Sequence, residues 1–245
     1  MSGRGSVADE PPISVLIPVR DGAAFLAEAI ESARSQSYRR IEVVVVDDGS
    51  KDGTADVARA YGSAIVFERR EPAGTGAARN RAVELSTGDL LAFLDADDVF
   101  EPERLRRQVD ALLADPSLDA VFGRISEFVE PGLPDDVRAT LRPPRLDVPS
   151  HLVTTMLIRR AAFERVGAFA PDQDLNATID WTARALSAGL RSVMLDAVVL
   201  RRRLHSANVG VTRWDFGRQL VGIARASVER RRMDARDRRG GQWGP

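Results

Sequence analysis

The sequence predicts an α/β fold, a mostly parallel central sheet flanked by helices. Two observations carry this expectation. Short runs that are apolar at every position alternate with stretches whose apolar residues recur at helical spacing, as expected for strands buried on both faces. The carboxylate-rich segments follow such runs directly, at the strand ends where parallel sheets bind ligands.

Residues 13–17 (Ile-Ser-Val-Leu-Ile) read as the first strand. Residues 23–36 place Phe25, Leu26, Ala29, Ile30 and Ala33 on one helical face. Residues 41–46 are a β-branched run, the clearest strand in the chain. A helix over 52–61, a short strand over 64–67, a helix over 76–85 and a strand over 90–94 complete the first half. The second half is less regular. A helix is expected over 102–114 and a strand over 120–128. Residues 130–149 are Pro-rich and polar and predict a long loop. A strand over 153–158 and a helix over 160–166 follow. The next helix covers 180–188 and is stopped by Gly189. Strands are expected over 191–195 and 198–204, then an Arg-studded helix over 214–232 and a polar tail.

Composition narrows the classes. The chain has 245 residues and a formal net charge of −1, so nothing points to nucleic acid. It has no Cys, which excludes disulfides and thiolate metal sites. No run approaches the roughly 18 apolar residues of a membrane span, and residues 1–10 lack the apolar core of a signal peptide. The expectation is a disordered N-terminus over 1–12, one domain over 13–210, and an Arg-rich C-terminal helix and tail over 211–245. A cytoplasmic protein follows. Arg230, Arg231, Arg232, Arg236, Arg238 and Arg239 are candidates for peripheral contact with an anionic membrane face.

The most informative motif is Leu94-Asp95-Ala96-Asp97-Asp98. Clustered carboxylates at the end of a buried strand are costly unless a cation neutralises them. Oxygen ligands select Mg²⁺ or Mn²⁺, metals that commonly carry a diphosphate. Asp47-Asp48-Gly49-Ser50 follows the β-branched strand at once. A carboxylate there can accept an imide N–H or a ribose hydroxyl; the same tetrad also suits a turn with a helix cap. Gly74-Thr75-Gly76-Ala77-Ala78-Arg79-Asn80 opens a helix with glycines, whose free N–H groups favour anions. Arg79 offers a planar fork to a base or phosphate. Arg201-Arg202-Arg203-Leu204-His205 puts one of two histidines after a basic strand. His205 is the candidate remaining metal ligand, and an Arg there can neutralise a departing diphosphate.

Together these residues resemble the family 2 glycosyltransferases, inverting enzymes with the Rossmann-like A-type (GT-A) fold, over about residues 13–210. The opening strand through Pro18 and Val19, the Asp47–Ser50 tetrad, Ala78-Arg79-Asn80 and the Asp95-Ala96-Asp97 D-x-D motif are similar to the family's in order and spacing. Met156-Leu157-Ile158-Arg159-Arg160 and Val166-Gly167-Ala168-Phe169 resemble its acceptor-side segment. In this family the base aspartate lies in a Glu-Asp pair at the helix that here reads Asp180-Trp181-Thr182-Ala183-Arg184-Ala185. Ala177 and Thr178 stand where that pair is expected. The resemblance therefore leaves the base to Asp180, with Asp174 and Asp172 on the preceding loop as alternatives.

The resemblance implies transfer of a sugar, with inversion, from a nucleotide sugar, foremost a UDP-sugar. The nucleotide half would span 13–98 and the acceptor half 99–210. Pro18, Val19, Arg20, Asp47, Asp48, Gly76, Arg79, Asp95, Ala96 and Asp97 would bind the nucleotide, with Asp48 and Arg79 on the uridine. Asp97, Asp98 and His205 would hold Mn²⁺ or Mg²⁺, and Arg202 and Arg203 would steady the leaving diphosphate. The acceptor is open: a glycan, lipid carrier, peptide or small molecule. Two rivals share this chemistry. One is a nucleotidyltransferase that makes a nucleotide sugar. The other is a nucleotide-sugar binder without a base.

Overall fold

A computed structural model describes residues 10–171 and 174–205. Strands β1 (Ile13–Val19), β2 (Ile41–Asp47), β3 (Val66–Arg69) and β4 (Leu90–Phe93) alternate with helices α1 (Leu26–Arg34), α2 (Thr54–Arg59) and α3 (Thr75–Leu85). Then follow β5 (Val99–Phe100), α4 (Arg104–Ala114), β6 (Ala120–Val129), α5 (Asp135–Thr140), β7 (Val148–Ser150), β8 (Leu157–Arg159), α6 (Arg160–Val166), α7 (Asp174–Ser187) and β9 (Ser192–Leu204).

These strands form one sheet in the order β3-β2-β1-β4-β8-β6-β9-β5, with β7 also on β6. The first four strands are parallel. Beyond β4 the sheet is mixed: β8 runs antiparallel to β4 and β6, while β6 and β9 run parallel. Segment 94–98 is far too short for a crossover, so β5 leaves the parallel block and pairs antiparallel with β9.

Strand alternation explains why β1 is buried throughout. Ile13, Val15 and Ile17 pack on one face with Leu26, Ile30 and Leu105 of α1 and α4. Leu16, with Val44, Val46, Leu91 and Phe93, packs on the other under α3, α6 and α7. That second core contains an aromatic cluster: Phe163 stacks on Trp181 at 5.5 Å, and Phe169 meets Phe93 edge-on at 5.5 Å. Such pairs each add roughly 0.5–1.5 kcal/mol beyond burial.

Several expectations need correction. The 130–149 segment is no plain loop; it holds α5 and β7. Residues 153–155 form a 3₁₀ turn before β8. The two strands expected over 191–204 are one continuous β9, because a register shift around Arg124 of β6 accommodates the change in pairing. Helix α7 begins six residues earlier than residue 180, since Ala177, Trp181 and Ala185 already form its buried stripe. The Arg-rich segment 211–245 lies outside the described residues. Among the described residues no helix is long and apolar enough to cross a membrane.

Candidate active site

The carboxyl ends of β1, β2 and β4 converge, as parallel pairing in register demands. Pro18 and Val19 are buried at the end of β1, and Arg20 is exposed beyond them. The Val19 carbonyl accepts the Asp48 N–H at 2.8 Å. The loop after β1 is fastened to the loop after β2: Asp21 N–H donates to Ser50 Oγ at 2.9 Å, and Lys51 N–H to Asp21 Oδ1 at 2.7 Å.

Asp47 is fully buried; its Oδ1 accepts the Ser50 N–H at 2.8 Å, and Arg69 Nε lies 3.5 Å from its Oδ2. Gly49 follows with φ +76, a left-handed conformation that glycine adopts without strain. Asp48 accepts two backbone N–H groups, from Ala73 at 2.9 Å and Gly74 at 2.8 Å. Gly74 is the N-cap of α3, so the turn that enters the helix is held by the chain's own carboxylate. Arg70 supports this arrangement, with Nε 3.7 Å from Asp48 Oδ1. The sequence reading missed Arg69 and Arg70; their signal was a doubled arginine at the end of a short strand.

Gly76 has a packing duty. A Cβ built there would lie 2.2 Å from the Ala170 carbonyl oxygen and 3.4 Å from the Ala177 Cβ. Glycine lets α3 approach the segment before α7. The next motif residues split their tasks. Arg79 is buried and donates to Asp95 Oδ1 at 2.7 Å and Thr178 Oγ1 at 2.9 Å. The Asn80 amide closes a two-way clasp on Phe169, donating to its carbonyl and accepting its N–H, both at 2.9 Å.

The D-x-D segment is placed by β9. Val99 pairs with Arg201 and Phe100 with Leu200, so antiparallel register carries Asp97 toward the far end of β9. There Asp97 Oδ2 lies 3.1 Å from His205 Nε2, across 108 residues of sequence. Ala96 faces Gly22, 3.7 Å from the position of an added Cβ there. Asp98 does not join the pair as a third ligand. It is buried, and its Oδ1 accepts the Arg203 N–H at 3.0 Å. Burial, then the charges of Asp97 and Asp95, push its pKa well above the ordinary carboxylate range. Among the described residues no group of three metal-ligating side chains forms.

Arg203 is not exposed to a diphosphate. It is 3% exposed; Nε donates to the Asp97 carbonyl at 3.0 Å, and its other nitrogens donate to Glu130 and Glu28. Arg202 lies beside Glu127, 3.8 Å from Oε1, on the neighbouring strand. Helix α7 puts Thr178 and the candidate base Asp180 on different faces. Thr178 faces Arg79, whereas Asp180, two residues or about 200° further round the helix, pairs with Arg184 at 2.8 Å. Arg184 in turn donates to the Val166 and Ala168 carbonyls. Asp180 thus anchors the 166–168 segment. Asp174 is the first residue of α7, one turn ahead of Thr178.

A family model described as Glycosyl transferase family 2 matches residues 14–167. The chain belongs to that family. An uncharacterized glycosyltransferase of Rickettsia typhi is 31% identical over 80% of this chain and 65% of its own length. Glycosyltransferase AglE of Haloferax volcanii is 31% identical over 73% of this chain and 62% of its own. The chain therefore spans under two thirds of the curated relatives it matches. Among solved structures, Staphylococcus aureus TarS in complex with UDP superimposes with a TM-score of 0.63 at 22% identity, covering 79% of this chain and 60% of TarS. The mannosyltransferase PcManGT of Pyrobaculum calidifontis, in complex with GDP-Man and Mn²⁺, gives 0.59 at 22% identity, covering 84% of this chain and 60% of its own. At such identities the likeness shows the fold: this family 2 member has the GT-A architecture.

Proposed function

We propose that this family 2 protein transfers a sugar, with inversion, from a nucleotide sugar, foremost a UDP-sugar, with Mn²⁺ or Mg²⁺ assisting. The observation that carries the reading is the meeting of Asp97 and His205 at 3.1 Å, beside the Asp95–Arg79 pair. A carboxylate oxygen and an imidazole suit Mn²⁺, and hard divalent ions commonly complete their shells with water and substrate phosphates. Asp97 and His205 would supply two side-chain ligands rather than the three expected. When bound, the metal would neutralise the charge that develops on the departing diphosphate. TarS structures in complex with UDP and with UDP-GlcNAc favour uridine among the nucleotides.

The chain's own residues would divide the remaining work. Asp95, held by Arg79 and about 40% exposed, presents its second oxygen to a ribose hydroxyl. Asp47 and Asp48, with Arg69 and Arg70, hold the loops that form the nucleotide floor. We assign the base to Asp174 rather than Asp180, because Asp180 is engaged by Arg184. It would take the acceptor hydroxyl proton as the oxygen attacks the anomeric carbon and the bond to the diphosphate breaks. The acceptor stays open among a glycan, lipid carrier, peptide and small molecule.

Calorimetric titration with UDP and GDP, each with Mn²⁺ and with EDTA, tests the nucleotide half. Metal-dependent binding of UDP is expected; binding of neither nucleotide overturns the reading. Asp174→Asn should abolish transfer while UDP still binds, and Asp180→Asn should retain transfer. A nucleotide binder without transfer to any acceptor would instead favour the non-catalytic reading that Thr178 suggests.

A further inference from the structure

We propose that Arg203 is a positioning residue that sets the Asp97–His205 pair and ties it to the segment following β6. The inference rests on the nucleotide-sugar reading of the site, but its geometry stands by itself. Arg203 is 3% exposed, two residues before His205 on β9. Its backbone N–H fixes the Asp98 carboxyl at 3.0 Å, and its Nε fixes the Asp97 carbonyl at 3.0 Å. One residue therefore grips both halves of the acidic turn, from the same strand that delivers the histidine.

The guanidinium is itself held on every side. Glu28 of α1 and Glu130 just past β6 accept from its two terminal nitrogens. Phe25 lies 5.0 Å and Phe128 4.7 Å from its charged carbon. Phe25 also meets the His205 ring, centroids 4.7 Å apart. Burial disfavours the charge on Arg203, but its hydrogen bonds to Glu130 and Glu28 outweigh that, and its pKa lies above the ordinary arginine value. Every guanidinium nitrogen already donates to the protein, so its contribution is to aim Asp97 and His205 rather than to touch phosphate. Lysine lacks the planar fork and cannot hold the carbonyl and both glutamates together.

The far end of this linkage is the acceptor half. Glu130 begins the segment that returns to β7, and its N–H donates to the Leu204 carbonyl at 3.0 Å. Loss of Glu130 should therefore be felt at the metal pair.

The test uses the full chain with any histidine tag removed. The protein has only two histidines, so the His205 and His151 imidazole resonances are readily separated by NMR. Arg203→Lys, Glu130→Gln and Glu28→Gln are compared with the parent. The two glutamate variants alter partly exposed side chains and guard against failure of the arginine variant to fold. In folded Arg203→Lys and Glu130→Gln, the His205 resonances should move while those of His151 stay. The Mn²⁺ concentration giving half-maximal UDP binding should rise about tenfold, as expected when support behind a metal ligand is lost. Unmoved His205 resonances with an unchanged Mn²⁺ requirement would overturn the proposal. So would an equal loss of UDP affinity with and without Mn²⁺ confined to Arg203→Lys, which would mark direct phosphate contact. A parent protein that binds no nucleotide would defeat the nucleotide-sugar reading, while the resonances would still decide the role of Arg203.

Discussion

Gly76→Ala separates two duties for the glycine-rich start of α3. An added Cβ would lie 2.2 Å from the Ala170 carbonyl oxygen. An ordinary carbon–oxygen contact is about 3.3 Å, so α3 and the segment at Ala170 must part by roughly 1 Å. Overpacking a tight contact costs about 1–3 kcal/mol, and a backbone oxygen that cannot swing aside belongs at the upper end, about 3. Alanine recovers up to about 1 kcal/mol of helix propensity, leaving a net loss of about 2. For a chain of this size that lowers the melting temperature by about 4–8 °C. The same displacement pulls Arg79, three residues on, away from Thr178, so UDP binding should weaken in parallel. Scanning calorimetry and UDP titration on one preparation read both quantities. A variant that melts at or above the parent while losing UDP affinity would refute the packing argument and return Gly76 to the phosphates.

Asp97→Asn should keep the fold but lower metal-dependent turnover by about two or more orders of magnitude, because the leaving diphosphate loses its counter-charge; near-parental turnover of folded protein would remove the metal assignment. Asn80→Ala leaves the Phe169 N–H and carbonyl without their side-chain partners and should cost about 2–4 kcal/mol by urea unfolding; a loss below about 0.5 kcal/mol would mean that water replaces the clasp. Glu127 supplies a pH test. Burial raises its pKa, but bidentate donation from Arg142 and the Arg145 N–H outweigh that, leaving it below the ordinary glutamate value of 4.5. Its stabilisation is then complete above pH 4.5 and is lost as the pH falls through the lowered folded value. Proteolytic cleavage within 130–147 should accelerate in that window in the parent and already be fast at neutral pH in Glu127→Gln.

Much of the first half was legible because its signals are local. The β-branched run of β2 and the apolar runs of β1 and β4 can be buried only between two layers, and the helices between them carry one apolar stripe each. The second half hid its order in pairings distant in sequence. The first turns of α7, before residue 180, read as loop because the buried face that Ala177 shares with Trp181 is set by tertiary packing, and β5 is too short to announce itself.

The site divides in the same way. Motif spacing by itself placed the candidate residues at strand ends and on a helix: Asp47 and Asp48 at the end of β2, Asp95 to Asp98 after β4, and Arg79 in the first half of α3. Only the tertiary structure decided what each side chain does there. Asp48 receives the turn before α3, Asp98 is buried under Arg203, Asp180 faces Arg184, and Asp97 alone of its motif meets His205. The physical reason is register. A motif states which groups are near in sequence, but the pairing of β5 with β9 sets which of them share a face, and burial then determines which carboxylates remain available to a ligand.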